Sequence, residues 1–425
     1  MIRNQNGANT NISISVPVMG LVMATVFYSA SSSADVDNQL FKLEPAMERT
    51  TMQASARGKL AELLAAPTSA DVRLVKVNPS LVASGTQEVS IPLTDDKSVS
   101  YHLNKFEKSD KGLDVWIGEV PSDRKKRFPS DEEVDLDSLN SATIVRDGDE
   151  LYGTLRVAGQ IYTLEKVENG QHVLVKVDES KFAPEGEPIV LKGVVEPAQP
   201  LGASPDTTGP IRVLIVTTVQ SRGLSEAEIA NAFSLANQAN AATGIQGTFQ
   251  YAGRYNSNYN ETGDSRNDLG NLKNVNHAGL GVPTTQARNA NRADMVALIT
   301  QNAKDVCGIA FAGVAVDRTG VFSLTNRSCI SNYTFHHELG HNMGGYHNWE
   351  PGAPVSDPSY ANGYRIPGKF RTIMSYACTT QACSQINQWS SPRVTYQGVP
   401  LGTEQYHDVA RRVHERWATV RDFYP

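Results

Sequence analysis

The sequence predicts an α+β fold in two parts, a mainly antiparallel β unit followed by a unit in which helices alternate with the strands of a mixed, twisted sheet. Three observations carry this expectation. Between residues 72 and 177, short runs of alternating apolar and polar residues recur with the two-residue period of half-buried strands. At 196–210 the stretch EPAQPLGASPDTTGP, punctuated by Pro197, Pro200, Pro205 and Pro210, resists helix and sheet alike and marks a linker. Beyond it, nearly continuous aliphatic runs alternate with helical stretches, the pattern of strands covered on both faces.

At 425 residues the chain is too long for one ordinary domain, and 40% hydrophobic residues suffice for two cores. Its charge is uneven: residues 1–208 carry 21 basic against 30 acidic side chains, and residues 209–425 carry 18 against 15. That asymmetry fits an acidic pro-region before a near-neutral mature domain, and it leaves no basic footprint for nucleic acid. The first 34 residues have the outline of a secretory signal: Arg3, an uncharged run over 16–28, then small residues up to Asp35. That apolar run is short of the about 20 residues of a membrane helix, so no membrane association is expected after cleavage. The division expected is therefore 1–34 signal, 35–208 pro-region and 209–425 mature domain, secreted to the extracellular space or the periplasm.

Within the pro-region, residues 46–66 predict a helix that joins Met47, Leu60, Leu63 and Leu64 on one face and stops at Pro67. Strands are expected at 72–77, 88–93, 115–117, 151–157, 161–167 and 172–177, with Asn169-Gly170 as a hairpin turn. Residues 121–140, with the basic run Arg124–Arg127 and then a run of acids, read as a solvated loop; a processing site at the basic run is the alternative. After the linker come a strand at 211–219, an alanine-rich helix at 225–242 with Ser225 as cap, a strand at 247–255, a helix at 292–304 and a strand at 306–316.

All four cysteines, Cys307, Cys329, Cys378 and Cys383, lie in the last third of a chain that looks exported, so two disulfides are expected. Neighbours pair most simply, Cys307 with Cys329 and Cys378 with Cys383, although four cysteines permit three arrangements.

The stretch FHHELGHNMGGYHNW, 335–349, holds four of the nine histidines. His337 and His341, four residues apart, share one face of a helix and can grip a single ion. Thr334 is a candidate cap for that helix. Glu338 stands beside the first ligand, placed to act on a water without binding the ion. Gly344 suits a left-handed exit that returns His347 to the ion. Three neutral imidazoles leave a fourth tetrahedral position open, the mark of catalytic rather than structural zinc. His336 points about 100° away on the helix and is a bystander.

HELGHNMGGYH resembles the HExxHxxGxxH signature of the metzincin zinc endopeptidases. Thr372–Tyr376, TIMSY, resembles their methionine turn, with Met374 as the apolar floor beneath the imidazoles. With CGIAFAG before the helix and RTIMSY and WSSP after it, residues 209–425 are most similar to bacterial reprolysin-like and peptidyl-Asp metallopeptidases. Two departures stand out: reprolysins proper usually place Asp where Asn348 stands, and Tyr376 is similar to the tyrosine that astacins and serralysins use near the zinc. The resemblance implies a metzincin-like catalytic domain, an edge strand at 308–316 that can take an extended peptide as a further strand, and a pocket wall between His347 and Met374. Arg365, Lys369 and Arg371 lie in that wall, which implies a preference for acidic residues (Asp) at the cleavage site.

These parts imply hydrolysis of internal peptide bonds in protein or peptide substrates, with one zinc ion activating a water and Glu338 as general base. The pro-region holds no cysteine, so an acidic side chain is what remains to block the metal in a latent form. The competing reading is a zinc-stabilised binding module, an adhesin or toxin subunit on a protease-like scaffold. Glu338 argues against it, because structural zinc has no use for a base beside an open ligand position. No feature of the sequence bears on oligomeric state.

Overall fold

A computed structural model of the chain describes residues 38–191, 207–313 and 317–424. The expected signal at 1–34, most of the linker and the end of the 306–316 strand lie outside the described residues.

Nine strands build the first sheet: β1 (Phe41–Leu43), β2 (Ser69–Val77), β3 (Glu88–Thr94), β4 (Lys97–Lys108), β5 (Asp114–Glu119), β6 (Ser141–Asp147), β7 (Glu150–Val157), β8 (Gln160–Lys166) and β9 (His172–Val177). All neighbours pair antiparallel in the order β1-β2-β9-β8-β7-β6-β5-β4-β3. Gln39 bridges to Ser90 and the Leu40 N–H donates to the Ser90 carbonyl, so the two ends of the sheet meet. Inside lie Leu40, Ile91, Tyr101, Trp116, Ile144 and Leu155. Asn169 and Gly170 both adopt positive φ (58° and 75°) in the turn between β8 and β9, which suits this pair of residues.

Three strands of this sheet were not expected. β4 reads SVSYHLNK, a half-exposed strand whose inward Val99 and Tyr101 are diluted by polar neighbours, while β1 and β6 are short runs flanked by loop-like composition. The expected helix over 46–66 is two helices, α1 (Arg49–Ser55) and α2 (Gly58–Ala65), separated by extended Ala56 and Arg57. Gly58 has φ +51°, and Glu168 accepts the Lys59 and Leu60 N–H groups at the start of α2, so a distant carboxylate caps a second helix there.

Residues 121–132 are largely exposed, as expected of a solvated loop, whereas Arg124 and parts of 133–140 are buried. The stretch carries a short helix α3 (Arg124–Arg127), and Arg124 is buried in an ion pair with Glu133 at 2.6 Å. Glu133 also accepts from the Thr395 hydroxyl, and Tyr396 donates to Asp137. Two carboxylates of this stretch, Glu133 and Asp137, thus meet partners 262 and 259 residues away, which no local pattern reveals, while its other ion pairs are local.

A six-stranded sheet follows, in the order β10 (Ile189–Val190), β14 (Gly308–Ala312), β15 (Phe322–Asn326), β13 (Met295–Thr300), β11 (Ile211–Thr217), β12 (Phe249–Asn256). Only the β14–β15 pair is antiparallel, which makes the sheet mixed. Helix α4 (Glu226–Ala242) starts at a capping box of Ser225 and Glu228. Its alanines serve both sides: Ala227 and Ala230 pack with Val115, Ile117 and Val145 of the first sheet, and Ala232, Ala236 and Ala239 with the core beneath β11 and β13. Asn231 reaches across to the Thr143 carbonyl and accepts from Thr154.

The helix expected at 292–304 is strand β13. MVALIT is six residues long, fully buried and rich in branched side chains, a run that periodicity cannot separate from a buried helix. Helices stand earlier, α5 (Ser265–Lys273) and α6 (Gly281–Ala290), where polar composition hid them. α7 (Thr334–Asn342) lies against β14 and β15, and α8 (Val409–Arg421) closes the chain. Cys307 is joined to Cys329, and Cys378 to Cys383. The described residues fall in one compact unit, and among them no helix is long and apolar enough to cross a membrane.

Candidate metal centre and active site

All nine residues of α7 are buried, an unusual setting for its four titratable side chains, His336, His337, Glu338 and His341. Thr334 does not cap this helix. The cap position is Tyr333, in the left-handed region (φ 67°), and the guanidinium of Arg156 from β7 lies 4.2 Å from its ring. At the other end the Asn342 amide donates to the carbonyls of Phe311 and Phe322, tying the helix to β14 and β15. Gly340 leaves room for its neighbours: a Cβ there would stand 2.7 Å from the Met374 sulfur and 2.8 Å from the Trp389 ring. After the helix, Gly344 has φ +89°, and the Gly345 N–H returns to the Gly340 carbonyl, so the chain doubles back toward His347.

The three histidines of the motif meet. His337 Nδ1 donates to the Ile373 carbonyl and His341 Nδ1 to the Gly345 carbonyl, both at 2.8 Å. A carbonyl can only accept, so Nδ1 carries the proton and each Nε2 presents a lone pair. His337 Nε2 and His341 Nε2 each lie 3.1 Å from His347 Nε2. Burial first, then the neighbouring imidazoles, holds His337 and His341 well below the ordinary histidine range; burial also lowers His347. Neutral nitrogens gathered this closely suit a cation between them. Zinc–nitrogen bonds of about 2.0–2.1 Å in a tetrahedron put the nitrogens about 3.3 Å apart, close to the spacing observed.

Glu338 is buried with neither carboxylate oxygen hydrogen-bonded. Burial, and then Glu185, pushes its carboxyl well above the ordinary range. Such an orphaned group points to a missing polar partner. His336 is a core histidine, its Nε2 2.8 Å from Asn387 Oδ1. Met374 is fully buried with Leu339, Met343 and Trp389, and its neighbour Ile373 supplies the carbonyl that orients His337.

Tyr376 packs its ring 4.0 Å from that of His347 and donates its hydroxyl to Glu187 at 2.7 Å. Its N–H donates to Asn348, the residue that departs from the reprolysin pattern. Of the three basic wall residues, Arg365 is held by Glu350 and the Ala377 carbonyl, and Lys369 is exposed. Arg371, mostly buried, donates to the Ser375 carbonyl and acts electrostatically on Glu185.

Sequence reasoning missed the segment that lies on this centre. The Cys307 N–H donates to the Pro184 carbonyl, the Gly186 N–H to the Gly308 carbonyl and the Leu191 N–H to the Ala312 carbonyl, and β10 pairs parallel with 311–312. Residues 184–191, PEGEPIVL, thus occupy the free edge of β14. Glu187 lies 3.8 Å from His347 Nδ1, and ligand atoms of Glu185, His337 and Glu338 lie within 4.8 Å of one another. The signal available was a pair of glutamates around a glycine between two prolines, just before the linker. A cavity of about 590 Å³ beside it is lined by Glu187, Pro188, His347, Asn348, Trp349 and Asp357, among others.

Comparison with known proteins falls in line with this geometry. The sequence model of the metallo-peptidase family M12B, reprolysin-like, matches residues 226–348. The chain is 31% identical over 410 residues to the peptidyl-Asp metalloendopeptidase of Xanthomonas campestris pv. campestris, which covers 93% of this chain and 96% of that one. It is 30% identical over 424 residues to the peptidyl-Asp metalloendopeptidase of Stenotrophomonas maltophilia, covering 95% and 97%. Among solved structures, metalloproteinase-II from Bacteroides fragilis aligns over 72% of this chain and 87% of that one with 11% identity and a TM-score of 0.42, too remote a likeness to build on.

Proposed function

The chain belongs to the family of the peptidyl-Asp metalloendopeptidases, and from that premise we propose that it is a secreted zinc endopeptidase, made as a latent proenzyme, that cuts beside acidic residues. The observation that carries the reading is the convergence of three Nε2 lone pairs next to a buried, unpartnered Glu338. His337, His341 and His347 would hold the ion, with Nδ1–H bonds to backbone carbonyls setting the first two rings. Bound zinc supplies Lewis acidity to a water and to the scissile carbonyl. With the ion bound and Glu185 gone from its side, Glu338 would take the proton from the attacking water and return it to the leaving amine, a transfer its lack of hydrogen-bond partners leaves it free to make. The Tyr376 hydroxyl, at the rim beside His347, is placed to bond the developing oxyanion once Glu187 is gone.

Residues 35–208 act as the pro-region and 209–425 as the catalytic domain. Latency follows from residues 184–191, which take the edge of β14 where a substrate strand would add. Two disulfides support export. Incubating the active enzyme with a peptide library, with and without a zinc chelator, tests the reading. Cleavage ahead of acidic residues that stops on chelation and returns with zinc is expected; chelator-resistant cleavage at unrelated bonds would overturn it.

A further inference from the structure

We propose that Thr334 and Arg371 form the pocket that recognises the substrate's acidic side chain, and that Glu185 of the chain's own 184–191 segment fills this pocket in the latent protein. The inference rests on the endopeptidase reading above and names the residues behind its acid preference.

Glu185 is the marker. Its Oε1 accepts from the Thr334 hydroxyl at 2.7 Å, and its Oε2 is buried without a hydrogen-bond partner. A buried carboxylate is strongly disfavoured unless its surroundings answer its charge. Burial raises the Glu185 carboxyl to about 7, and against it the Thr334 hydroxyl and then the field of Arg371 favour the charge; Arg371 acts without a direct bond, its own donor going to the Ser375 carbonyl. The two belong to different elements, Thr334 to the start of α7 and Arg371 to the strand before the methionine turn, and of these Thr334 touches Glu185 directly.

Position ties this pocket to the chemistry. Thr334 stands four residues before Glu338, one turn away on the same helix face. Glu185 approaches His337 and Glu338 within 4.8 Å, so a side chain seated where Glu185 sits belongs to a residue next to the bond being cut. Arg365 and Lys369 do not compete for this role: one is engaged by Glu350 and backbone, and the other is exposed. A guanidinium and a hydroxyl also suit a carboxylate better than its amide, because the amide would bring N–H donors against donors.

Two measurements decide. Active enzyme recovered from an expressing culture is assayed on peptide pairs that differ only in Asp or Asn after the cut bond. Arg371→Gln should lower the Asp/Asn ratio of kcat/KM at least tenfold, Arg371→Lys should keep part of it, and Thr334→Val should fall between. A wild-type ratio near one overturns the acid preference itself and the pocket with it. A wild-type preference that survives in Arg371→Gln or, should that variant not fold, undiminished in Arg371→Lys and Thr334→Val overturns the pocket alone. In the full-length chain, denaturant midpoints of Glu185→Gln, Arg371→Gln and the double variant report the second half: non-additive shifts are expected, and additive ones overturn the placement of Glu185.

Discussion

The Tyr376 hydroxyl donates to Glu187 at 2.7 Å, joining the residue two beyond Met374 to a carboxylate that enters from the other side of the linker. The same carboxylate faces His347 Nδ1, so one short segment touches both Tyr376 and the cluster of three histidines.

Removing that tie should release latency. Glu187→Ala in the full-length chain is expected to shorten the lag before peptidase activity appears several-fold. A time course of fluorogenic peptide cleavage checks it, and an unchanged lag argues that Glu187 is a passenger.

Metal binding and proton transfer separate by mutation. Glu338→Gln should keep zinc at one equivalent while activity falls about 10²–10⁴-fold, the range of a lost general base. His341→Ala should lose the metal as well. Metal content by mass spectrometry beside kcat/KM distinguishes the two, and substantial activity in Glu338→Gln contradicts the assigned role.

Gly340 sets two effects against each other. Alanine is favoured over glycine inside a helix by about 1 kcal/mol, but a Cβ at this position meets the Met374 sulfur and the Trp389 ring below 3 Å. Overpacking of this kind costs about 1–3 kcal/mol. Gly340→Ala should therefore destabilise the protein in chemical denaturation and displace the floor under the imidazoles; a gain in stability would show that the floor can yield.

Acid should loosen the first sheet through His172. Its Nε2 accepts from the Leu151 N–H, and burial lowers it from the ordinary 6.5 to about 4. The fold keeps the imidazole neutral while the unfolded chain binds a proton, so its contribution is complete above pH 6.5 and is lost as pH falls toward 4. That loss is on the order of 1–3 kcal/mol. Unfolding free energies measured from pH 7 to pH 4 should decline in the wild type and decline less in His172→Gln.

The convergence of His337, His341 and His347 was legible in the sequence because it is local: the first two owe their relation to helical spacing, and the turn at Gly344 brings back the third within a few residues. The strands β9 and β11 and the cap at Ser225 were legible for the same reason, since period and capping are short-range properties. What misled was also local. MVALIT looks alike as helix or strand until its neighbours β11 and β15 are known, and Glu133 looks as solvated as the exposed charges around it until it meets Thr395. Thr334 had the spacing of a cap, but its hydroxyl is spent on Glu185, 149 residues away.

The class of chemistry is written in the sequence, because three imidazoles and a carboxylate at fixed intervals on a helix and its exit turn need no distant partner to face one another. What lies on them comes from tertiary contacts alone. The pairing of residues 184–191 with β14, and the bond from Thr334 to Glu185, depend on backbone edges and buried polar groups brought together across well over a hundred residues, a distance at which no periodicity survives.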